Sequence, residues 1–148
     1  MNKNLAIIKQ LRQNARQSLI TISRKTGIPV STVFDRIKQQ EDHSIRKHTS
    51  LVYFSKLGYS LRLLMFLKVK KENECCERLM HNKHVNSLFR TDGDFNVYLD
   101  CVFATMKEYQ HFMKQLNQFD IENKVLSFVV EELCYEDFLI NKEGNKNE

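Results

Sequence analysis

The sequence predicts an α+β protein in which three short helices precede a strand, helix, strand, strand, helix, strand unit. Three observations carry this prediction. Apolar residues recur every three or four positions through the first forty residues, the spacing changes to two from Ser60, and positive charge is concentrated in the first fifty residues. The 148 residues suffice for one large or two small domains. With 42% hydrophobic and 28% charged residues, the composition is that of a soluble globular chain.

The first helix is predicted by Leu5, Ile8, Leu11 and Ala15, which fall on one face. A polar break follows at residues 13–17. Ser18 is placed to cap a second helix, in which Leu19, Ile22 and Ser23 give a narrow buried stripe, and Gly27 ends it by entering the left-handed region without steric penalty. Pro29 suits the start of a third helix, where its missing N–H is no loss. Val30, Val33, Phe34 and Ile37 are expected on its inward side. At about 100° per residue, Ser31, Asp35 and Lys38 then centre on the opposite side, with Thr32 and Gln39 beside them.

Residues 41–59 lack a helical period and contain β-branched and aromatic residues, so a wing or hinge strand is expected there, with Gly58 marking the junction to a second domain. From Ser60, Leu61, Leu63, Met65, Leu67 and Val69 alternate with Arg62, Phe66 and Lys68, as a strand with one buried face requires. A helix is expected over 72–82 with Cys75, Cys76, Leu79 and Met80 inward. A strand follows over 85–90, Asp92-Gly93 signals a hairpin turn, and Phe95, Val97, Leu99, Cys101 and Phe103 form the returning strand. Thr105 and Glu108 fit a capping box, and Met106, Tyr109, Phe112, Met113, Leu116 and Phe119 make a wide helical stripe behind it. A last strand is expected over 124–135. This order is that of a ferredoxin-like βαββαβ domain. The expected division is 1–58, 59–138 and a disordered tail over 139–148.

Charge divides the chain as well. Residues 1–50 carry 10 Lys/Arg against 3 Asp/Glu, a net +7, whereas residues 51–148 carry 13 against 15, a net −2. Such asymmetry points to a polyanion, with nucleic acid foremost, as the partner of the first fifty residues. The apolar run Leu5–Ile8 is too short for a signal-peptide core, and no apolar run approaches the roughly 20 residues that span a bilayer, so a cytoplasmic, DNA-associated protein without membrane partners is expected.

Other chemistries find little support. Cys75, Cys76, Cys101 and Cys134 form no C-x-x-C pair and read as reduced thiols. Cys75 and Cys76 with His81 and His84 invite a zinc reading, but adjacent helical residues diverge by about 100°, so no metal site and no cofactor are expected. No nucleophile elbow, P-loop or His-Glu-x-x-His motif points to an enzyme, and the five histidines are scattered. The order of elements also occurs in RNA recognition motifs, but "DFNVYLDCVF" is acidic and lacks their basic, glycine-rich aromatic strand.

Three helices with a glycine turn, the "KLG" junction at Lys56 to Gly58 and the following α/β unit resemble the Lrp/AsnC family of transcription regulators over almost the whole chain. "NARQSLITISRKTGIPVSTVFDRI" resembles the family's helix-turn-helix, and "RTDGDF" sits where the family carries a Gly-x-aromatic-Asp hairpin. The resemblance implies a winged helix-turn-helix domain joined to an effector-sensing, oligomerising RAM domain. It also implies a homodimer, extending to a tetramer or octamer, and a small amino acid as effector. Gly93, Asp94 and Asn96 are the effector-contacting residues it implies; by chemistry alone the hairpin is simply a good turn. Two departures stand out. The amide of Asn96 replaces the usual Asp, removing a carboxylate that would meet an ammonium group, which leaves three alternatives open: a small amino acid, a different ligand or none. The wing segment lacks the glycine common there.

For the third helix, the functional reading is insertion into the DNA major groove; the alternative is a solvated helix face. Ser31 and Thr32 at its N-terminus and Lys38 farther along suit phosphate oxygens, and Gln39 beside Lys38 is a further DNA-contacting candidate. Asp35 repels phosphate but accepts from the amino group of cytosine, which serves base discrimination. Arg36, towards the core edge, reaches a phosphate or pairs locally. Arg12, Arg16, Arg24, Lys25, Arg46 and Lys47 are candidates for sequence-independent phosphate contacts, and each one alone reads equally well as a solubilising charge. Two other readings stay open: a sensing or oligomerisation module whose N-terminal helices bind a protein, and a chromatin-like coat on DNA.

Overall fold

The structure is a computed structural model that describes residues 2–140. By contacts the described residues form two compact units, one made of those up to Leu51 together with those from Cys134 onward, the other Val52–Leu133.

The first unit holds α1 (Lys3–Gln13), α2 (Leu19–Thr26) and α3 (Val30–Glu41). Asn2 caps α1, its side-chain oxygen accepting from the Asn4 N–H. The small core consists of Ile7, Ile22, Ile28 and Val33, with Leu11, Leu19 and Ile37 packed around it. Three expectations change here. In α1 the buried residues are Ala6 and Ile7, whereas Leu5 is exposed and Ala15 lies in the exposed turn beyond the helix. Four consecutive apolar residues, Leu5 to Ile8, let more than one face satisfy the helical period, and packing chose another. In α3 only Val33 and Ile37 turn inward; Val30 and Phe34 are 40% and 45% exposed. A core of four buried residues covers a narrow arc of the helix. Gln40 is buried instead, its side-chain oxygen accepting from Ser44 Oγ at 2.6 Å while its carbonyl accepts three successive N–H groups after the helix end.

Among the described residues no strand forms between Glu41 and Leu61, so the wing strand expected over 41–59 is absent; a turn follows α3, and a 3-10 turn occurs at Phe54–Leu57. The β-forming composition of this stretch is unmatched by a neighbouring strand, and Leu51, Val52 and Tyr53 stay exposed. Gly58 closes the turn at φ 88°, a conformation that glycine adopts freely.

The second unit holds β1 (Leu61–Val69), α4 (Glu72–Met80), β2 (Val85–Arg90), β3 (Val97–Phe103), α5 (Met106–Leu116) and β4 (Ile121–Phe128). The four strands make one antiparallel sheet in the order β2-β3-β1-β4, the ferredoxin-like arrangement. Leu63, Met65, Leu67 and Val69 of β1 and Val97, Leu99, Cys101 and Phe103 of β3 are buried against Cys75, Cys76 and Leu79 of α4 and Phe112 and Leu116 of α5. Thr105 and Glu108 form the expected capping box. Donation by the Ala104 N–H, supplemented by that of Thr105, lowers the Glu108 pKa. Met80, expected inward, is 63% exposed at the end of α4. The last strand starts at Ile121 rather than 124 and ends at Phe128 rather than 135. Its pairing with β1 sets those limits, since a final N–H, from Val129 to the Arg62 carbonyl, closes the ladder where β1 begins. From residue 141 onward, the tail expected over 139–148 lies outside the described residues. No helix among the described residues is long and apolar enough to cross a membrane.

Candidate nucleic-acid interface and hairpin loop

The turn between α2 and α3 is built by local chemistry. Ser18 Oγ accepts from the Thr21 N–H at 3.1 Å and starts α2. Gly27 ends it at φ 70°, its N–H donating to the Ser23 carbonyl at 2.8 Å. Pro29 then stands as the N-cap of α3. With Ile28 and Val33 buried on the inside, Ser31, Asp35, Lys38 and Gln39 are exposed and Thr32 is half-buried.

The basic residues separate into engaged and exposed groups. Arg36 Nη1 donates to Asn4 Oδ1 at 3.2 Å, so its guanidinium ties α3 to α1. Arg12 is held by the C-terminal segment of the same unit: Nε donates to the Phe138 carbonyl at 2.7 Å, and Nη2 meets both the carbonyl and the carboxylate of Glu136. Lys25 Nζ donates to Gln17 Oε1 at 2.9 Å from an exposed position. Arg16, Arg24, Arg46 and Lys47 are exposed. One residue of this surface was missed by sequence reasoning. Phe34 projects from α3 beside Lys38, whose Nζ lies 4.8 Å from the ring centroid. The i, i+4 spacing of the two residues was the available signal.

In the second unit the hairpin between β2 and β3 turns at Gly93, with φ 115°, and Asp92 Oδ1 accepts from the Gly93 N–H at 3.0 Å. Asp94 is exposed. Asn96 is engaged internally: its Oδ1 accepts from the Val69 N–H at 2.9 Å and its Nδ2 donates to the Val69 carbonyl at 2.8 Å. The Asn96 backbone N–H donates to the Leu67 carbonyl at 3.0 Å. The side-chain amide thus acts as a surrogate peptide group, continuing the β1–β3 ladder one step past the last strand pair, Leu67 with Val97. Gly93 and Asp94 therefore share a loop with Asn96, but its amide points into the fold.

Two polar and aromatic groups lie on the sheet face away from the helices. Asp100, 3% exposed, receives both Nε and Nη2 of Arg62 at 2.9 and 2.7 Å and Asn86 Nδ2 at 2.8 Å. Arg62 Nη1 also pairs with Glu132. Beyond them, Phe66 packs at a tilt against Phe95 and Tyr98, with ring centroids 6.0 and 4.9 Å apart, and Phe89 against Tyr98 at 5.8 Å. Among the described residues no cluster of three or more His, Cys, Asp or Glu is placed to hold a metal ion. Burial pushes the Cys75 thiol up to about 11 and the Cys101 thiol up to about 12.

A winged helix-turn-helix DNA-binding family model matches residues 2–39, and the Lrp/AsnC ligand binding domain matches residues 65–137. The HTH-type transcriptional regulator FL11 of Pyrococcus abyssi is 32% identical over 110 residues, covering 72% of this chain and 73% of the relative. An uncharacterised HTH-type transcriptional regulator of Pyrococcus furiosus is 28% identical over 135 residues, 89% and 91% of the two chains. A transcriptional regulator from Neisseria meningitidis in complex with L-Met has the same fold, with a TM-score of 0.80 at 22% identity over 91% of this chain and 93% of that one. So does AsnC of E. coli, with a TM-score of 0.77 at 17% identity over 91% and 95%. With a helix-turn-helix built around Gly27 and a ligand-binding domain behind it, the chain belongs to the Lrp/AsnC family of transcription regulators.

Proposed function

We propose that this regulator reads a specific DNA sequence by laying α3 in the major groove, and that the observation carrying this is the division of α3 into a packed side, Val33 and Ile37, and an exposed side of Ser31, Asp35, Lys38 and Gln39. Ser31 and Thr32 meet phosphate near the helix N-terminus, Lys38 and Gln39 meet it farther along, and Asp35 accepts from a cytosine amino group. Arg16, Arg24, Lys25, Arg46 and Lys47 supply sequence-independent attraction, in keeping with the net +7 of residues 1–50. Arg36 and Arg12, engaged within the unit, contribute chiefly by orienting their helices. Residues 1–58 form the DNA-binding part and its linker, and residues 59–138 the sensing and oligomerising part.

Two copies pair through the sheet face carrying Phe66, Phe89 and Tyr98, which presents two α3 helices to successive major grooves about 34 Å apart. Phe66 and Phe89, 41% and 54% exposed, support this pairing. The effector is a small amino acid, as the relative bound to L-Met suggests. In this chain the exposed carboxylate of Asp94 is the group that meets its ammonium, with Gly93 shaping the loop, because the Asn96 amide is committed to Val69. The protein acts in the cytoplasm and needs no metal or catalytic step for this function.

Selection from a random duplex pool, followed by affinity measurements at about 50 and 200 mM salt, tests the proposal. A pseudo-palindromic winner whose affinity falls by orders of magnitude between the two salts is expected. Lys38→Ala then weakens all duplexes alike and Asp35→Ala relaxes sequence preference. Weak, salt-sensitive binding without enrichment would point to a chromatin-like coat, and no DNA binding to a protein partner for the helices.

A further inference from the structure

We infer that Phe34 is a further base-reading residue, whose exposed ring contacts the C5-methyl group of a thymine. The inference rests on the helix-in-groove reading above and adds an apolar contact to its polar ones.

Phe34 is not part of the core. It is 45% exposed, while Val33, its neighbour in sequence, is fully buried. It lies one turn after Val30 and one turn before Lys38, so the three form a ridge along the rim of the exposed side. Val30 is itself 40% exposed, which makes the start of this ridge apolar. Asp35, next to it, and Ser31, three residues before it, face solvent, whereas Thr32 and Arg36 are half-buried.

The surroundings restrict what such a ring can meet. The first fifty residues carry a net +7, which suits a polyanion, and a major groove offers donors, acceptors, phosphates and one apolar group, the methyl of thymine. Lys38 Nζ lies 4.8 Å from the ring centroid. That ammonium restrains the ring and partly covers it on one side, leaving its remaining surface for a neighbour. The arrangement combines an apolar reader with a cation able to reach an adjacent phosphate. Asp35, one residue on, accepts from cytosine by the same reading, so α3 would specify both a cytosine and a thymine within one half-site.

Uracil substitution tests this with the full-length protein and the duplex enriched by selection. Each thymine of the half-site is replaced in turn by uracil, which removes only the methyl group, and affinity is measured by fluorescence anisotropy. One position per half-site should weaken wild-type binding about fourfold, the equivalent of ~0.8 kcal/mol for one buried methyl-sized group. In Phe34→Ala that loss should vanish at that position alone, with Phe34→Leu retaining part of it. Circular dichroism establishes that both variants keep their helices. A flat uracil scan in the wild type, or an undiminished loss in Phe34→Ala, would overturn the inference while leaving sequence-specific binding intact. Failure to enrich any duplex would overturn the groove reading and this inference together.

Discussion

Replacing Asn96 by Asp separates the amide's two hydrogen bonds in a single experiment. The wild-type side chain accepts from Val69 N–H at 2.9 Å and donates to the Val69 carbonyl at 2.8 Å. A carboxylate keeps the first bond, loses the second and sets an anionic oxygen against the Val69 carbonyl. Losing one net hydrogen bond removes ~1 kcal/mol, and leaving a partly buried acceptor facing another acceptor adds ~1–2 kcal/mol, so Asn96→Asp should be destabilised by about 2–3 kcal/mol at pH 7. Protonation restores a donor. The aspartic acid is therefore held protonated to a higher pH in the folded state than its unfolded value of about 3.9, and the variant should approach wild-type stability below that value. The restored stability is then lost as pH rises through the folded pKa. Asn96→Ala, which loses both bonds at every pH, should cost about 2 kcal/mol without this pH dependence. Urea denaturation followed by far-UV circular dichroism at pH 4 and pH 7, each against wild type, reads both effects. Wild-type stability for Asn96→Asp at pH 7, or an equal loss at the two pH values, would refute the surrogate-peptide role.

Other expectations follow from the second unit. Asp100→Ala removes the buried partner of Arg62 and Asn86 and should lower stability by about 3 kcal/mol, measured by denaturant unfolding; a loss below about 1 kcal/mol would show that the pair contributes little. Cys134 is exposed, whereas Cys75, Cys76 and Cys101 are buried with raised pKa values, so iodoacetamide at neutral pH should alkylate Cys134 first and reach the other three only on unfolding. Because the folded-state thiol pKa values are raised, their contribution to stability is complete below about pH 9, the ordinary thiol value, and is lost as pH rises towards the values of about 11 and 12. Mass spectrometry of the alkylated sites and an alkaline stability titration check the two statements.

Much of the site was legible where the signal lies within a few residues. The Ser18 cap, the left-handed Gly27 and the exposed positions of Ser31, Asp35 and Lys38 all follow from hydrogen bonds and spacing inside one turn or one helix. Arg12 and Arg36 read equally well as phosphate contacts because their partners, Glu136 and Asn4, lie 124 and 32 residues away. Asn96 reads from sequence as a weakened effector contact for the same reason, because the partner of its amide, Val69, lies 27 residues earlier in the chain.

The sequence by itself determined the two-part order, the alternation of β1, the limits of β2 and the capping box of α5, since period-two burial and capping hydrogen bonds are local properties. Tertiary structure alone decided which of Leu5 to Ile8 faces inward, left Phe34 outside a core too small to take it, denied residues 41–59 a strand partner and ended β4 where β1 begins. Apolar spacing states that a surface can be buried; only the neighbouring elements determine whether anything is there to bury it.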